Sequence, residues 1–179
     1  GDHHDMENTW PIYTKAVGEY RYGLDIDRKK FGATKAEPAR AQFDALFLPD
    51  NGFSNYYEKI AQLEGAIPVF RSAGGIFQDI DIQFDNAISL DRGIIIRIER
   101  DFTRNWMDVL THEKFNYEDA LIVIDAGWAL DILQHEFWSS SIITQILDIA
   151  PEIEIVSVSS CSPNSFSHID EKGIFSIDD

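Results

Sequence analysis

Arg97 stands alone as a charge inside the run Gly93-Ile-Ile-Ile-Arg-Ile-Glu99. Such a run has the composition of a buried strand, where an unpaired charge would cost several kcal/mol. A partner must lie close by, and Asp125, at the end of the apolar run Ala120-Leu-Ile-Val-Ile124, is the natural one. The pair can be a structural ion pair in the mouth of a sheet. It can equally be an arginine held to grip a carboxylate or phosphate, because its planar fork makes two parallel hydrogen bonds to such groups. Arg71 follows the apolar run Ile67-Pro-Val-Phe70, and Ser160 follows Ile153-Glu-Ile-Val-Ser-Val158. Arg71, Arg97, Asp125 and Ser160 together form the candidate ligand-binding set.

Other reactive types are present without the spacing that chemistry needs. Asp50, Glu99, Asp101 and Asp125 could pair as carboxylates for acid–base work or a divalent cation. Asp101, however, suits a helix cap, and Asp50 in Pro-Asp-Asn-Gly suits a turn. His112 sits near an expected helix C-terminus, His135 has no second histidine at helical spacing, and His168 lies in a polar loop. Cys161, among Ser159, Ser160 and Ser162, has no nucleophile elbow and no base to activate it. No strand is followed by Gly-x-Gly-x-x-Gly or a Walker-type loop. The sequence assigns no catalytic role to any one of these residues, and no metal site or cofactor is expected.

The elements that position these groups are legible as punctuated apolar runs. Tyr20, Tyr22, Leu24 and Ile26 alternate with Glu19, Arg21 and Asp25, the period of a half-buried strand, and Trp10 to Tyr13 reads as another. Phe43 to Leu48 reads as a strand closed by Pro49-Asp50-Asn51-Gly52. A helix from Tyr56 to Leu63 follows, capped by Asn55 with Glu58 and ended by Gly65. Next come the strand at Ile67, a helix through Ile80, Phe84 and Ile88, the strand of Arg97, and a helix containing Trp106, Val109 and Leu110. The Ala120 strand ends at Asp125-Ala126-Gly127. A long helical stretch from Trp128 to Ala150, broken near Ser139-Ser140-Ser141, leads past Pro151 to the last strand. Continuous Val/Ile/Leu strands alternating with helices predict a parallel α/β sheet, a partial or shortened TIM-barrel-like arrangement with units of roughly 30 residues. Residues 1–42 form an irregular N-terminal segment with one or two strands; 43–179 form the barrel-like domain. In parallel sheets ligands meet the loops after the strands. That rule gathers on one rim Asp50, Arg71-Ser72 with Gly74-Gly75, Arg97 to Asp101, Asp125 with Trp128, and Ser159 to Ser162.

Composition sets the class of partner. Among 179 residues, 15 are basic and 31 acidic, for a net charge of −16. That field repels nucleic acid phosphates, and the densest basic run, Arg28-Lys29-Lys30, is flanked by acids, so direct DNA or RNA binding is disfavoured. The acidity serves solubility, or else attracts a basic partner or mimics a polyanion. A single cysteine excludes an internal disulfide and fits a reducing, cytoplasmic setting. No apolar run approaches the roughly 18–20 residues needed to cross a bilayer.

Three strand ends, Gly93-Ile-Ile-Ile-Arg97-Ile, Leu121-Ile-Val-Ile-Asp125-Ala-Gly127 and Ile155-Val-Ser-Val-Ser-Ser160-Cys-Ser-Pro163, resemble in this order the later strands of the beta protein family, named from a bacteriophage product. Ile67-Pro-Val-Phe70 is similar to its preceding strand, and Pro11-Ile-Tyr-Thr-Lys15 with Gly18-Glu19-Tyr20 to its opening one. The resemblance implies a barrel-like α/β fold with Arg97, Asp125 and Ser160 at matching positions. The stretch between Tyr20 and Phe43 is short for the family's second unit, and the sequence ends at Asp179, before an expected last strand. Cys161-Ser162 replaces the usual Thr-Ser-Phe before the proline. The family brings no settled activity beyond an association with phage–host conflict. The expectation is an accessory protein acting through a protein partner. Its rival is a TIM-barrel-like enzyme holding a phosphorylated or carboxylated substrate at the rim.

Overall fold

The period-two alternation around Leu24 does make a strand. In the computed structural model, which describes residues 6–26, 38–100, 103–128 and 132–160, β1 covers Tyr22–Leu24. It pairs in parallel with β2, Ala66–Pro68. A parallel bridge from Val69 to Ile95, with Phe70 N–H donating to the Ile95 carbonyl at 2.8 Å, carries the pairing on to β5, Ile94–Glu99. β5 pairs in parallel with β6, Ala120–Trp128, and β6 with β7, Glu154–Ser160. The fold is α/β with parallel strands joined by helices, and among the described residues the strands do not close into a barrel.

Several elements differ from their sequence expectation, each for a physical reason. Phe43 to Leu48 is not a strand: α2, Pro38–Ala45, runs through its first part. Phe43 and Phe47 are four residues apart, so their rings meet edge to face at 5.1 Å, and Arg40 reaches Asp44 at 3.0 Å with the same spacing. Asp50 therefore ends no strand but begins α3, Asp50–Gln62. That element is kinked: Asn51, Gly52 and Phe53 take left-handed φ of 50, 63 and 61, so the regular helix begins after them, close to the expected start, and the Asn55 side-chain amide donates to the Ala45 carbonyl at 3.1 Å. Trp10 to Tyr13 belongs to α1, Met6–Val17, where Thr14 Oγ1 bonds back to the Trp10 carbonyl at 2.7 Å. The turn after Arg71 is a small antiparallel hairpin of β3, Ser72–Ala73, and β4, Ile76–Phe77. Gly74 and Gly75 both take positive φ there, as a two-residue hairpin loop demands.

The remaining elements follow the expected pattern. Gly65 ends the α3 region at φ 80, α4 covers Ile80–Leu90 and α5 covers Trp106–Leu110. α6, Ile132–Ile149, passes through Ser139-Ser140-Ser141 without the expected break, with Gln145 Nε2 donating back to the Ser141 carbonyl at 3.1 Å. β6 runs past Asp125 to Trp128, bulging between them. Ile96, Ile98, Ile122 and Ile124, all at most 1% exposed, share one core with Phe84, Trp106, Val109 and Ile146. No helix among the described residues is long and apolar enough to cross a membrane. The expected helix cap Asp101 and the loop residues Cys161, Ser162 and His168 lie outside the described residues.

Candidate functional site

Strand alternation decides which side chains can meet. Register pairs Arg97 with Val123 and Val156, and Glu99 with Asp125 and Val158, so these six share one face of the sheet. The opposite face carries Ile96, Ile98, Ile122 and Ile124 and is the buried one. On the first face, Gly23 leaves room for Ile95, whose Cδ1 would collide with any β-carbon there. Two residues beyond Gly23 and Val69, the same alternation brings in Asp25 and Arg71. Consecutive parallel strands thus deliver their polar groups to one rim.

Asp25 is the hub, and the sequence reading passed over it. Its Oδ1 pairs with Arg71 Nη1 and also accepts from its neighbour's backbone, Ile26 N–H, at 2.7 Å. Its Oδ2 lies 2.6 Å from Arg97 Nη1. Arg97 Nε donates to Asp125 Oδ2 at 3.0 Å, Nη2 pairs with the same oxygen, and Nη2 also lies 3.3 Å from Glu99 Oε1. Asp125 is itself held by Gly127 N–H on Oδ1 at 2.8 Å. Burial works against the charge of Arg97, yet hydrogen bonds to Asp125 and Asp25, with Glu99 close by, hold its pKa above the ordinary arginine value. Arg97 remains 33% exposed, so the cluster is open on this side.

Arg71, expected on an open rim, is instead 1% exposed. Its guanidinium lies between the rings of Tyr56 and Phe47, at 5.2 and 5.5 Å. Tyr56 is fixed by donating to the Leu24 carbonyl at 2.6 Å and accepting from Val69 N–H at 2.7 Å. Gln83 on α4, wholly buried, fastens the Arg71 backbone from both sides. Its Oε1 accepts from Arg71 N–H at 2.8 Å and its Nε2 donates to the Arg71 carbonyl at 2.9 Å. Tyr57 adds a hydroxyl bond to Gln83 Oε1 at 3.2 Å. Burial pushes both phenols above the usual tyrosine range. No motif marks Asp25 or Gln83; the one usable signal was an acidic residue directly after an alternating strand.

Ser160 ends β7 in register with Trp128, and its side chain lies outside the described residues. Ser72 is buried in β3 and Arg100 bonds Gln134 at 3.2 Å. Asp50 is exposed at the start of α3, apart from the ion-pair cluster. His112 stacks on Phe84 at 5.0 Å and lies 3.5 Å from Asp81. Among the described residues no group of three His, Cys, Asp or Glu side chains could hold a metal ion. A groove of about 420 Å³ lies at the opposite end of the sheet, lined by Arg21, Arg92, Gly93, Lys114, Asp119 and Glu154 among others. Compared with protein-family models, curated proteins and solved structures, the chain matches none.

Proposed function

We propose that the protein binds a small ligand bearing a carboxylate or phosphate at the C-terminal rim of a barrel-like parallel sheet. The observation that carries this reading is the convergence of Asp25, Arg71, Arg97, Glu99 and Asp125 from successive parallel strands onto one partly open cluster. In parallel α/β folds ligands are met at that end of the strands. The net charge of −16 does not defeat the idea. Charges beyond roughly 8–10 Å are screened at physiological salt, whereas the two arginines act at hydrogen-bond range. The likeness to the beta protein family places Arg97, Asp125 and Ser160 at matching positions and is part of this reading, as is a cytoplasmic setting.

Calorimetric titration with inorganic phosphate and, separately, malonate tests it. Saturable binding is expected in the native chain, and Arg97→Met should abolish it while thermal melting stays cooperative. No saturable heat with any small oxyanion would sink the rim as a ligand site. A second reading, an accessory role through a protein partner, is favoured by one observation. Val156 and Val158, on the same sheet face as Arg97 and Asp125, are 44% and 38% exposed. A partner covering them would close the face that a full barrel buries, and dimerisation or co-purification that shields both valines from solvent would support it.

A further inference from the structure

Resting on the rim-binding reading, we propose that Arg71, not Arg97, grips the ligand's oxyanion, through the edge formed by its Nε and Nη2. Every nitrogen of Arg97 already faces a carboxylate: Nε and Nη2 face Asp125, Nη2 also Glu99, and Nη1 Asp25. Four of its five N–H donors are so occupied, and the one left on Nη1 cannot make a two-pronged grip on a guest. Arg71 is different. Only its Nη1 is engaged, by Asp25, while Nε and Nη2 are buried and find no hydrogen-bond partner among the described residues.

Those two nitrogens form the side-on fork of the guanidinium, whose parallel N–H bonds match the paired oxygens of a carboxylate or phosphate. Leaving charged donors buried and unpaired is costly, and an oxyanion at the fork removes the cost. The fork is also pre-set. Gln83 fixes the Arg71 backbone, Asp25 fixes one end of the guanidinium, and the rings of Tyr56 and Phe47 pack against it. Arg97 is then a positioning residue, which anchors Asp25 through Nη1 and so keeps the Arg71 fork aimed. Because the fork is closed to solvent, an entering oxyanion must displace a neighbour. Tyr56 is tied by two hydrogen bonds, whereas half-buried Phe47 sits on the short turn after α2 and is the side that gives way.

The test follows the arginine Nε–Hε resonances of the full chain by NMR during titration with inorganic phosphate and, in a separate arm, malonate. The two arms separate a phosphate ligand from a carboxylate one. The Arg71 resonance, assigned by its contacts to the Tyr56 and Phe47 rings, should move saturably while that of Arg97 stays. Arg71→Lys keeps the charge but loses the fork, and should weaken binding roughly tenfold to a hundredfold. Arg97→Lys keeps a cation beside Asp25 but not the full set of hydrogen bonds, and should weaken binding less than Arg71→Lys does. Should Arg71→Lys fail to fold, the native-chain shifts decide alone. Movement of the Arg97 resonance, or equal losses in both variants, would return the grip to Arg97 and leave the rim reading standing. No saturable shift in either arm would remove both.

Discussion

The two ends of the parallel sheet both carry arginines, and they use them in opposite ways. At the N-terminal end Arg92 spends its Nη1 on three backbone carbonyls where α3 ends: Ile60 at 3.1 Å, Leu63 at 2.7 Å and Ala66 at 3.3 Å. Arg21 in turn donates to the Arg92 carbonyl, and Lys114 pairs with the exposed Asp81 and Asp85 at 3.2 and 2.7 Å. That end has the groove, and its ion pairs are made with exposed carboxylates. At the C-terminal end Arg71 and Arg97 face carboxylates, one of them with a fork unspent. Volume and chemistry are therefore separated in this protein. An arginine that satisfies helix carbonyls is a cap; one locked among carboxylates beside an unpaired neighbour is part of a site.

The sharpest way to break this contrast is at Gln83. Gln83→Leu leaves the buried amide and carbonyl of Arg71 unpaired, and each orphaned group is costly. Chemical denaturation should show a loss of about 3 kcal/mol or more, and oxyanion binding should fall with it. A smaller loss than that of any base-end change would mean the rim is not the better-built end. Arg92→Met should come next, at about 1–2 kcal/mol for the lost carbonyl bonds, with phosphate affinity in calorimetry unchanged. If Arg92→Met abolished binding, the groove and not the rim would hold the ligand.

The smallest effect concerns alkaline pH. The Tyr56 and Tyr57 phenols are held protonated by burial, so their folded pKa values lie above the ordinary 10.0 of the unfolded chain. Above that value the unfolded state releases protons that the folded state keeps, so stability falls as pH rises. Tyr57→Phe should cost about 1 kcal/mol or less near neutrality by losing its bond to Gln83. It should also flatten the alkaline decline, and the gap between variant and native chain should narrow from about pH 8 to pH 11. Parallel denaturation curves across that range would show that the phenol does not titrate with unfolding.

Much of this was readable in the residues. The isoleucine runs around Arg97 and before Asp125 have the composition of doubly covered strands, and both the strands and the Arg97–Asp125 pair are where that composition put them. Phe43 to Leu48 misled because a short apolar run fits either period. Ring contact one helical turn apart, with the Arg40–Asp44 pair, settled it as the end of a helix. With the first strand misplaced there, Asp50 was set on the rim and Asp25 was taken for an outward-facing residue of a marginal strand.

By itself the sequence determined the strand–helix alternation and the need for a carboxylate beside Arg97. Both are local matters of periodicity and of the cost of a buried charge. Only the tertiary structure decided that Asp25 joins two arginines and that Arg71 is buried between two rings. It also placed an unpaired fork at Arg71 while the same edge of Arg97 was taken by Asp125. Such facts depend on which strands lie side by side and in what register, and pairing across 46 or 72 positions leaves no spacing signal in the chain.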